Sequence, residues 1–530
     1  MFKMSHNIIF FFSLLFISTV CAKEADPYNI YKQYYEAIGG LDNLKAIKSS
    51  YSEGTIQVDN LKGHFKEWSE TPLRYRLEEY FNIITHSSGD NGKNSWAEDT
   101  NGKVIVLKDK NTIQRRQLTK LLEEFNHLDR NSKYFNLSYQ GKSEFNNKSV
   151  HIIKMTNTIN EDISWLYFDS KRFLLLKDIE KQPDIEVHTT YQDYRPADGG
   201  IMIAYRTNSE IKPRDKHRNI VINKFEANPK IPNSYFSTPI ENLSSIKFKD
   251  GLNVNSSPFQ LVNNLIYIPI QLLGQEALWI LDSGASLSLI DEKYVKRLGL
   301  VTHPGIKGFG FGGNFDLSYV KLPSYGTQDT QIENQTIYSL KGLADNFNSP
   351  QAMGILGYDF LSRFVVKINY AEQIISFYNS NNFQYQGNGT IIPAPLKYNT
   401  FTLPVTLDGQ YHGQWSIDLG AYDSSLSYAY ANKHKLLHRK GEETISQGLS
   451  NDIVERTVKF NSLMLGPYQI EPAFINIPVS KESSSSSHGD LVGNLGNSIL
   501  RNFILYLDYQ NQQLILEPNI NLDKTTYPQP

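Results

Sequence analysis

The hydrophobic pattern divides the chain into two parts. In residues 28–47 apolar side chains recur at every fourth position until Gly39-Gly40 interrupts them, which predicts helix. Residues 51–225 show short runs of alternating apolar and polar positions separated by Asn/Gly turns, which predicts antiparallel strands. One apolar helical stripe lies among them, at residues 112–128. We therefore expect a curved antiparallel sheet with helices packed against one face.

The second part of the chain contains an internal repeat. One apolar run ends in Asp282-Ser283-Gly284-Ala285 and another in Asp418-Leu419-Gly420-Ala421. Ile355-Leu356-Gly357 and Asn494-Leu495-Gly496 follow these aspartates after similar intervals, and each is followed by Leu, Phe and Tyr at matching positions. Spacing this regular indicates a duplicated unit. Two aspartates at the ends of equivalent strands suggest a pair of carboxylates.

The repeat resembles the tandem pepsin/retropepsin-type (clan AA) aspartic proteases, in which D-[ST]-G-A and a later hydrophobic-hydrophobic-Gly mark each lobe. The resemblance covers residues 258–517 and implies a mainly β, bilobal double-β-barrel fold. We place lobe one at 258–380 and lobe two at 395–520. Residues 23–240, the N-terminal domain, resemble the half-barrel of bacterial lipoprotein carriers through Tyr35-Glu36-Ala37-Ile38-Gly39-Gly40 and the strands that follow. Turn residues make 241–257 the expected linker.

In such a protease the two aspartates act together. The resemblance makes Asp282 and Asp418 the catalytic pair, sharing a proton because two adjacent carboxylates repel each other. Gly284 and Gly420 would let the backbone approach closely. By resemblance, Ser283 should cross the lobe interface and Ser286 should hydrogen-bond the outer oxygen of Asp282. The remaining supporting residues should brace the two loops from behind: Ile355, Leu356, Gly357, Leu495 and Gly496.

Lobe two departs from the family pattern. Leu419 stands where Ser or Thr is usual, and Asn494 replaces an apolar brace residue. Tyr422 aligns with Ser286, although a slip in the alignment would place Ser424 there. Losing one interlobe hydroxyl removes about 0.5–1.5 kcal/mol per hydrogen bond, which a site can survive if the opposing group finds another partner.

A glycine-rich segment supplies a candidate flap over the cleft. Phe309, Gly310, Phe311 and Gly312 combine the mobility of a hairpin tip with side chains that can contact substrate. The segment also looks superficially like a phosphate-binding loop. It lacks the G-x-G-x-x-G pattern before a helix and the Walker Lys and Ser/Thr, which argues against nucleotide binding.

Composition and the N-terminus restrict the setting. The net charge of −2 gives no basic surface for nucleic acid, and 40% hydrophobic content is typical of a globular protein. Lys3, an apolar core and Val20-Cys21-Ala22 predict a signal peptide, 1–22, and export to the periplasm or outside the cell. A membrane anchor and lipidation of Cys21, the only cysteine, are the alternatives. Cleavage after Ala22 would leave no thiol for disulfides, metal or catalysis.

Three functions remain open from the sequence. The first is an exported aspartic endopeptidase, a monomer with intramolecular lobe pairing, acting on peptide or protein substrates without metal or other cofactor and without a transmembrane span in the mature chain. The second is a binding or scaffold protein on a protease fold weakened by Leu419. The third is a carrier of an apolar ligand in the N-terminal domain.

Overall fold

The structure is a computed structural model that describes residues 25–160, 162–182, 185–212, 215–241, 245–310, 313–347, 351–449, 451–480 and 491–519. The predicted signal peptide, 1–22, lies outside these ranges. Within them, no helix combines the length and the apolar character needed to cross a membrane.

Thirteen strands make up the N-terminal domain. They are β1 Ser49–Val58, β2 Leu61–Glu70, β3 Arg74–Phe81, β4 Ile84–Asp90, β5 Ser95–Glu98, β6 Val104–Leu107, β7 Phe135–Phe145, β8 Lys148–Asn157, β9 Ile163–Asp169, β10 Leu175–Lys181, β11 Glu186–Ala197, β12 Ile201–Lys212 and β13 Lys216–Ala227. They form one antiparallel sheet in the order β6-β5-β4-β3-β2-β1-β13-β12-β11-β10-β9-β8-β7. The chain crosses from one edge strand, β6, to the other, β7, through a helix. The antiparallel sheet expected from the alternating pattern is therefore confirmed.

Three helices accompany this sheet: α1 Pro27–Ala37, α2 Leu41–Ala46 and α3 Lys110–Glu123. The Asp26 side chain caps α1, and the positive φ angles of Gly39 and Gly40, 119° and 87°, separate it from α2. Ile30 and Tyr31 of α1 pack in an apolar cluster with side chains of β7, β8 and β9. The interrupted helix is thus present, and burial of Ile30 and Tyr31 stabilises it. The later stripe also forms a helix, α3, which ends at Glu123 and has no fully buried side chain.

The remaining strands belong to the protease-like part. They are β14 Ile246–Phe248, β15 Val254–Pro258, β16 Gln260–Val262, β17 Leu265–Leu272, β18 Gln275–Leu281, β19 Leu289–Asp291, β20 Thr302–Gly310, β21 Gly313–Gly326, β22 Thr330–Leu340, β23 Gly354–Leu356, β24 Phe364–Asn369, β25 Ile374–Asn379, β26 Thr390–Pro393, β27 Leu396–Lys397, β28 Thr400–Leu407, β29 Tyr411–Ile417, β30 Ser425–Leu426, β31 Glu442–Ser446, β32 Ile453–Phe460, β33 Leu463–Leu465, β34 Tyr468–Ile470, β35 Ala473–Pro478, β36 Leu491–Leu495, β37 Phe503–Asp508 and β38 Gln513–Pro518. The helices are α4 Glu292–Arg297, α5 Tyr358–Leu361, α6 Tyr428–Lys433 and α7 Asn497–Leu500.

These strands form two equivalent sheets and one shared sheet. The nine-stranded sheet contains β14 and β16–β23, and the ten-stranded sheet contains β27–β36. In each, the strand that precedes an aspartate runs parallel to the strand that ends in Leu-Gly: β18 beside β23, and β29 beside β36. The six-stranded sheet β15-β25-β24-β37-β38-β26 takes strands from both lobes. The bilobal fold expected from the sequence repeat is confirmed.

The segment expected to be a linker, 241–257, differs from a simple connection. Strand β14 pairs with β22 and strand β15 pairs with β25, so this segment adds strands to two sheets. Glu241 also forms ion pairs with Lys103 of the N-terminal domain, at 3.0 Å, and with the buried Arg363 of lobe one, at 3.2 Å. The segment therefore fastens the N-terminal domain to lobe one.

The N-terminal domain docks directly on lobe one. Ile56 and Phe65 lie in an apolar cluster with Leu287 and Tyr319. At a neighbouring polar contact, the Asn101 side chain donates to the carbonyl of Thr336 at 2.9 Å and accepts from its N–H at 2.8 Å. Apolar packing combined with paired hydrogen bonds fixes the orientation of the two parts.

Candidate active site at the lobe interface

The two aspartates occupy equivalent places at the ends of β18 and β29. The N–H of Asp282 donates to the carbonyl of Leu356 and the N–H of Asp418 to that of Leu495, both at 3.0 Å. The Leu-Gly segments of β23 and β36 therefore lie behind the aspartate loops, where the sequence places them. In lobe two this arrangement tolerates Asn494 because its side chain faces the site, with Nδ2 3.5 Å from Oδ2 of Asp418.

The glycines show how closely the two loops meet. A Cβ atom on Gly420 would lie 2.3 Å from Cγ of Asp282, and one on Gly284 would lie 2.9 Å from Oδ1 of Asp418. Neither glycine has a positive φ angle. Close approach to the carboxyl group of the opposite lobe, rather than an unusual backbone conformation, is the reason that both positions need glycine.

The carboxyl groups receive most of their hydrogen bonds from their own loops. Oδ1 of Asp282 accepts from the N–H groups of Gly284 and Ala285 at 2.7 and 3.0 Å, and Oδ1 of Asp418 accepts from the N–H of Gly420 at 3.0 Å. Ser286, expected to bond the outer oxygen of Asp282, is exposed and does not contact that carboxyl group. Backbone donors therefore hold one oxygen of each carboxyl group, and Ser286 does not take part.

Both carboxyl groups resist ionisation. Burial raises the pKa of Asp282, and burial together with the charge of Asp282 raises the pKa of Asp418 well above its usual range. Two acids with these shifts hold one proton between them over a range of pH, and their titration belongs to the pair. The pair can then supply an acid and a base at the same time.

Ser283 joins the two lobes as the resemblance implies. Its hydroxyl donates to the carbonyl of Ile417 at 2.9 Å and accepts from the N–H of Leu419 at 3.0 Å. Leu419 offers no hydroxyl in return, and its side chain is fully buried in the main apolar core. The hydroxyl of Ser283 therefore reaches lobe two, but no hydroxyl at position 419 reaches back to lobe one.

Asn497 contributes a support that sequence reasoning missed. Its Nδ2 donates to the carbonyl of Leu419 at 2.7 Å, and its Oδ1 accepts from the hydroxyl of Tyr370 in lobe one at 2.7 Å. Asn497 thus ties the lobe-two loop to lobe one without using a side chain at 419. The only sequence signal was a polar residue directly after Gly496, where lobe one has Tyr358.

In each lobe a serine holds the Leu-Gly segment behind the aspartate loop, and in lobe one this serine is not Ser286. The hydroxyls of Ser288 and Ser424 accept from the N–H groups of Gly357 and Gly496, both at 3.0 Å. Each serine lies six residues after its aspartate, so Ser288 and Ser424 align with each other without any slip. Comparing the two repeats at this interval would have identified them.

Ser288 also links the active-site loop to α5. Its N–H and hydroxyl donate to Oδ1 of Asp359 at 2.6 and 2.7 Å. Asp359 is fully buried, and burial raises its pKa to about 6. From the next turn, Arg363 donates to the carbonyl of Asn101 at 2.7 Å, so the support behind lobe one extends to the N-terminal domain.

The aspartates open into a cavity of about 1280 Å³ that both lobes line. The hairpin of β20 and β21 contributes Gly310 and Phe315 to its wall. Of the expected flap residues, Phe311 and Gly312 lie outside the described residues, and for Phe309 only the backbone, paired with Asn314, is described. Phe315 is therefore a flap side chain at the cavity that the sequence reasoning did not select.

The base of this hairpin rests on the N-terminal domain. Lys307 of β20 donates its N–H to Asp59 at 3.0 Å, and its ammonium group pairs with Asp215 at 2.5 Å. Ile306 packs in the same apolar cluster as Ile56. The base of the hairpin is thus supported by the N-terminal domain, while Gly310 and Phe315 line the cavity.

Within the described ranges, no three or more His, Cys, Asp or Glu side chains cluster in a way that could hold a metal ion. The chemistry that the described site offers is that of two carboxyl groups with one proton, facing a cavity large enough for an extended peptide. A water molecule bound between them would be activated as a nucleophile, as general acid–base catalysis requires.

Comparison with known proteins supports this picture for part of the chain. Residues 268–360 match the sequence model of a family described as aspartyl protease. No curated protein sequence matches the chain. The segment with the match contains Asp282 and Ile355-Leu356-Gly357, so the aspartyl protease resemblance is confirmed there.

Several solved structures are similar to parts of the chain. An aspartic proteinase from Irpex lacteus is 12% identical with a TM-score of 0.34, and the match covers 52% of this chain and 100% of that one. A retropepsin-like aspartic protease from Rickettsia conorii is 20% identical with a TM-score of 0.18, covering 25% and 96%. A LolA superfamily protein from Nitrosomonas europaea is 10% identical with a TM-score of 0.26, covering 37% and 95%.

Proposed function

We propose that the chain is an aspartic endopeptidase that hydrolyses peptide bonds with a water molecule held between Asp282 and Asp418. The observation that carries the proposal is that the glycine of each loop lies against the carboxyl group of the other lobe. A Cβ atom added to Gly420 would be 2.3 Å from Cγ of Asp282, and one added to Gly284 would be 2.9 Å from Oδ1 of Asp418. Such an approach makes one site from two lobes. It leaves no room for the carboxyl groups to separate.

The reaction follows from the shared proton. The ionised carboxylate accepts a proton from the bound water while its oxygen attacks the peptide carbonyl, and the protonated carboxyl group donates its proton to the carbonyl oxygen. The C–N bond of the tetrahedral intermediate then breaks as the leaving amine takes up the proton that the first carboxylate accepted from water. A hydroxyl of the intermediate returns a proton to the other carboxylate, which restores the starting pair. Two carboxyl groups are sufficient for these steps, so the proposed enzyme needs no metal or other cofactor.

We further propose that the enzyme is exported and acts as a monomer. Export rests on the sequence pattern of residues 1–22, and the mature chain would begin with the N-terminal domain, 23–240. The monomer rests on the six-stranded sheet, in which Val366 of lobe one lies opposite Leu507 of lobe two. Each chain would then contain a complete site and act on peptide or protein substrates.

The test uses the mature chain, residues 23–530, and a library of quenched fluorescent peptides between pH 3 and 8. Asp282→Asn and Asp418→Asn should each lower kcat/KM by about a hundredfold or more, because either change removes the shared proton. Asp250→Asn, at an exposed position outside the cavity, is the matched control and should retain full activity. Circular dichroism should show the same fold for all variants.

Two outcomes would contradict the proposal. Full activity of Asp418→Asn would exclude a single-chain site and favour a dimer of lobe one. If no peptide is cleaved, calorimetry with a peptide carrying a hydroxyl in place of the scissile carbonyl separates the alternatives. Binding without cleavage would support the scaffold protein, and no binding would leave the N-terminal domain as the candidate functional part.

A further inference from the structure

The two lobes can be compared position by position at the cavity. The carbonyl of Ser288 accepts from the N–H of Tyr338, and the carbonyl of Ser424 accepts from the N–H of Asn476, both at 2.9 Å. Ser288 and Ser424 make the same hydrogen bond to the Leu-Gly segment of their own lobes. Tyr338 and Asn476 therefore occupy equivalent positions in the two lobes.

The strand register extends this correspondence. Tyr338 lies opposite Tyr319 and Asn476 lies opposite Thr457 in equivalent antiparallel pairs. Two residues earlier on the partner strands stand Leu317 in lobe one and Glu455 in lobe two. The loops add a third pair, since Leu287 and Asp423 each lie five residues after the aspartate of their lobe.

In lobe one these positions form an apolar wall. Leu287 and Leu317 are 9% and 7% exposed, and with Tyr338 they line the cavity. Leu317 and Tyr338 belong to an apolar cluster that includes Ile355 and Phe315 beside the catalytic loop. This half of the cleft would therefore bind a large apolar side chain.

In lobe two the same three positions are polar, and two of them are acidic. Asp423, Glu455 and Asn476 all line the cavity. Glu455 is only 2% exposed, and its Oε2 accepts from the hydroxyl of Ser446 at 2.6 Å and from Nδ2 of Asn476 at 3.3 Å. Its Oε1 is buried and has no hydrogen-bond partner, although a buried carboxylate oxygen without a donor is costly.

The two carboxyl groups also affect each other. Burial and the charge of Asp423 raise the pKa of Glu455, and burial raises the pKa of Asp423 to about 6. In the described parts of the chain, neither group forms an ion pair. The site thus holds two acids without a cationic partner among the described residues, and one oxygen of Glu455 has no hydrogen bond. A cation with several N–H donors would complete this arrangement.

We infer that the cleft selects peptides carrying a large apolar residue on one side of the scissile bond and an arginine or lysine on the other, with the cation bound by Asp423 and Glu455. This inference rests on the proposed peptidase function and adds the substrate class. The apolar wall belongs to lobe one and the acidic wall to lobe two, so the preference follows from the difference between two equivalent sets of residues.

The experiment measures kcat/KM for peptide pairs that differ only in Arg against Gln at each position from three before to three after the scissile bond. We expect one position at which Arg is preferred by about tenfold or more, the effect of a charge-assisted pair in a partly buried site. The double variant Asp423→Asn/Glu455→Gln should lose that preference. The ratio of kcat/KM for the Arg peptide to that for the Gln peptide should fall to about one.

Asp452→Asn is the matched control. It removes one negative charge from an exposed residue three positions before Glu455 and outside the cavity lining, so the Arg preference should survive. Loss of the preference in this variant would indicate a general charge effect and overturn the assignment to Asp423 and Glu455.

The outcomes separate the inference from the proposed function. Cleavage with equal rates for Arg and Gln at every position would overturn the inference and leave the peptidase intact. If nothing is cleaved, the proposed function fails, and calorimetry with Arg and Gln forms of the hydroxyl-containing peptide still tests the acidic wall. Equal affinities in that measurement would overturn the inference as well.

Discussion

The Ser283 hydroxyl and the Leu419 N–H form a hydrogen bond of 3.0 Å across the lobe interface, between positions that the sequence repeat makes equivalent. One member of the pair uses its side chain and the other uses its backbone. The interface at the active site is therefore asymmetric at its centre, although the strands around it follow the same topology in both lobes.

This asymmetry predicts a specific cost for Ser283→Ala. The change removes both interlobe hydrogen bonds of the hydroxyl and leaves the buried N–H of Leu419 without an acceptor, so the free energy of unfolding should fall by about 1–3 kcal/mol. Urea unfolding of the original chain and of the variant measures this difference in the free energy of unfolding. Ser286→Ala is the control, because that serine is exposed, and should stay within about 0.5 kcal/mol of the original chain. Equal effects of the two variants would contradict the assignment.

Restoring the missing hydroxyl should not restore stability. Leu419→Thr places a polar group in an apolar site whose backbone N–H and carbonyl are already bonded to Ser283 and Asn497. An unpaired hydroxyl there costs about 1–3 kcal/mol, so the melting temperature should fall. A rise on differential scanning calorimetry would show instead that lobe one offers a free partner for the hydroxyl.

The glycine contacts predict a graded loss of activity. Gly420→Ala puts a methyl group 2.3 Å from Cγ of Asp282, whereas Gly284→Ala meets its nearest atom, Oδ1 of Asp418, at 2.9 Å. The first substitution must displace the catalytic carboxyl group and should remove nearly all activity. The second should retain more kcat/KM. Peptide cleavage by the two purified variants tests the order, and the reverse order would contradict the described packing.

Asp359 predicts a pH-dependent stability difference. Burial raises its pKa from 3.8 to about 6 in the folded state, so the folded chain retains a proton that the unfolded chain releases between these values. The original chain should therefore lose stability relative to Asp359→Asn as pH rises through this window. A shift of this size corresponds to about 3 kcal/mol. Parallel curves of melting temperature against pH for the two proteins would contradict the prediction.

Much of the fold was visible in the sequence because duplicated elements repeat at matching intervals. The buried Leu361, Phe364 and Tyr370 recur as Leu500, Phe503 and Tyr509, and all six lie in one core. Each position in such a pattern is set by burial in this shared core. Local periodicity likewise predicted α1, which buries Ile30 and Tyr31, and the helix α3.

The supporting contacts were harder to predict because they join residues far apart in the chain. Asn497 reaches Tyr370 over 127 positions, and Asn101 reaches Thr336 over 235. Neither contact leaves a local pattern. Ser288 and Ser424 were a different case: their common distance from the aspartates was visible, but the family resemblance directed attention to Ser286 instead.

The unequal contact at 283 and 419 also restricts how the chain can be divided. Two copies of lobe one, related by a twofold axis, would bring two Ser283 hydroxyls to the interface. Two copies of lobe two would bring two Leu419 side chains and no hydroxyl at all. Lobe one therefore carries the hydroxyl that such pairing needs, whereas lobe two relies on the Ser283 hydroxyl of its neighbour. The ancestral symmetric form, if rebuilt from this chain, must therefore be rebuilt from lobe one.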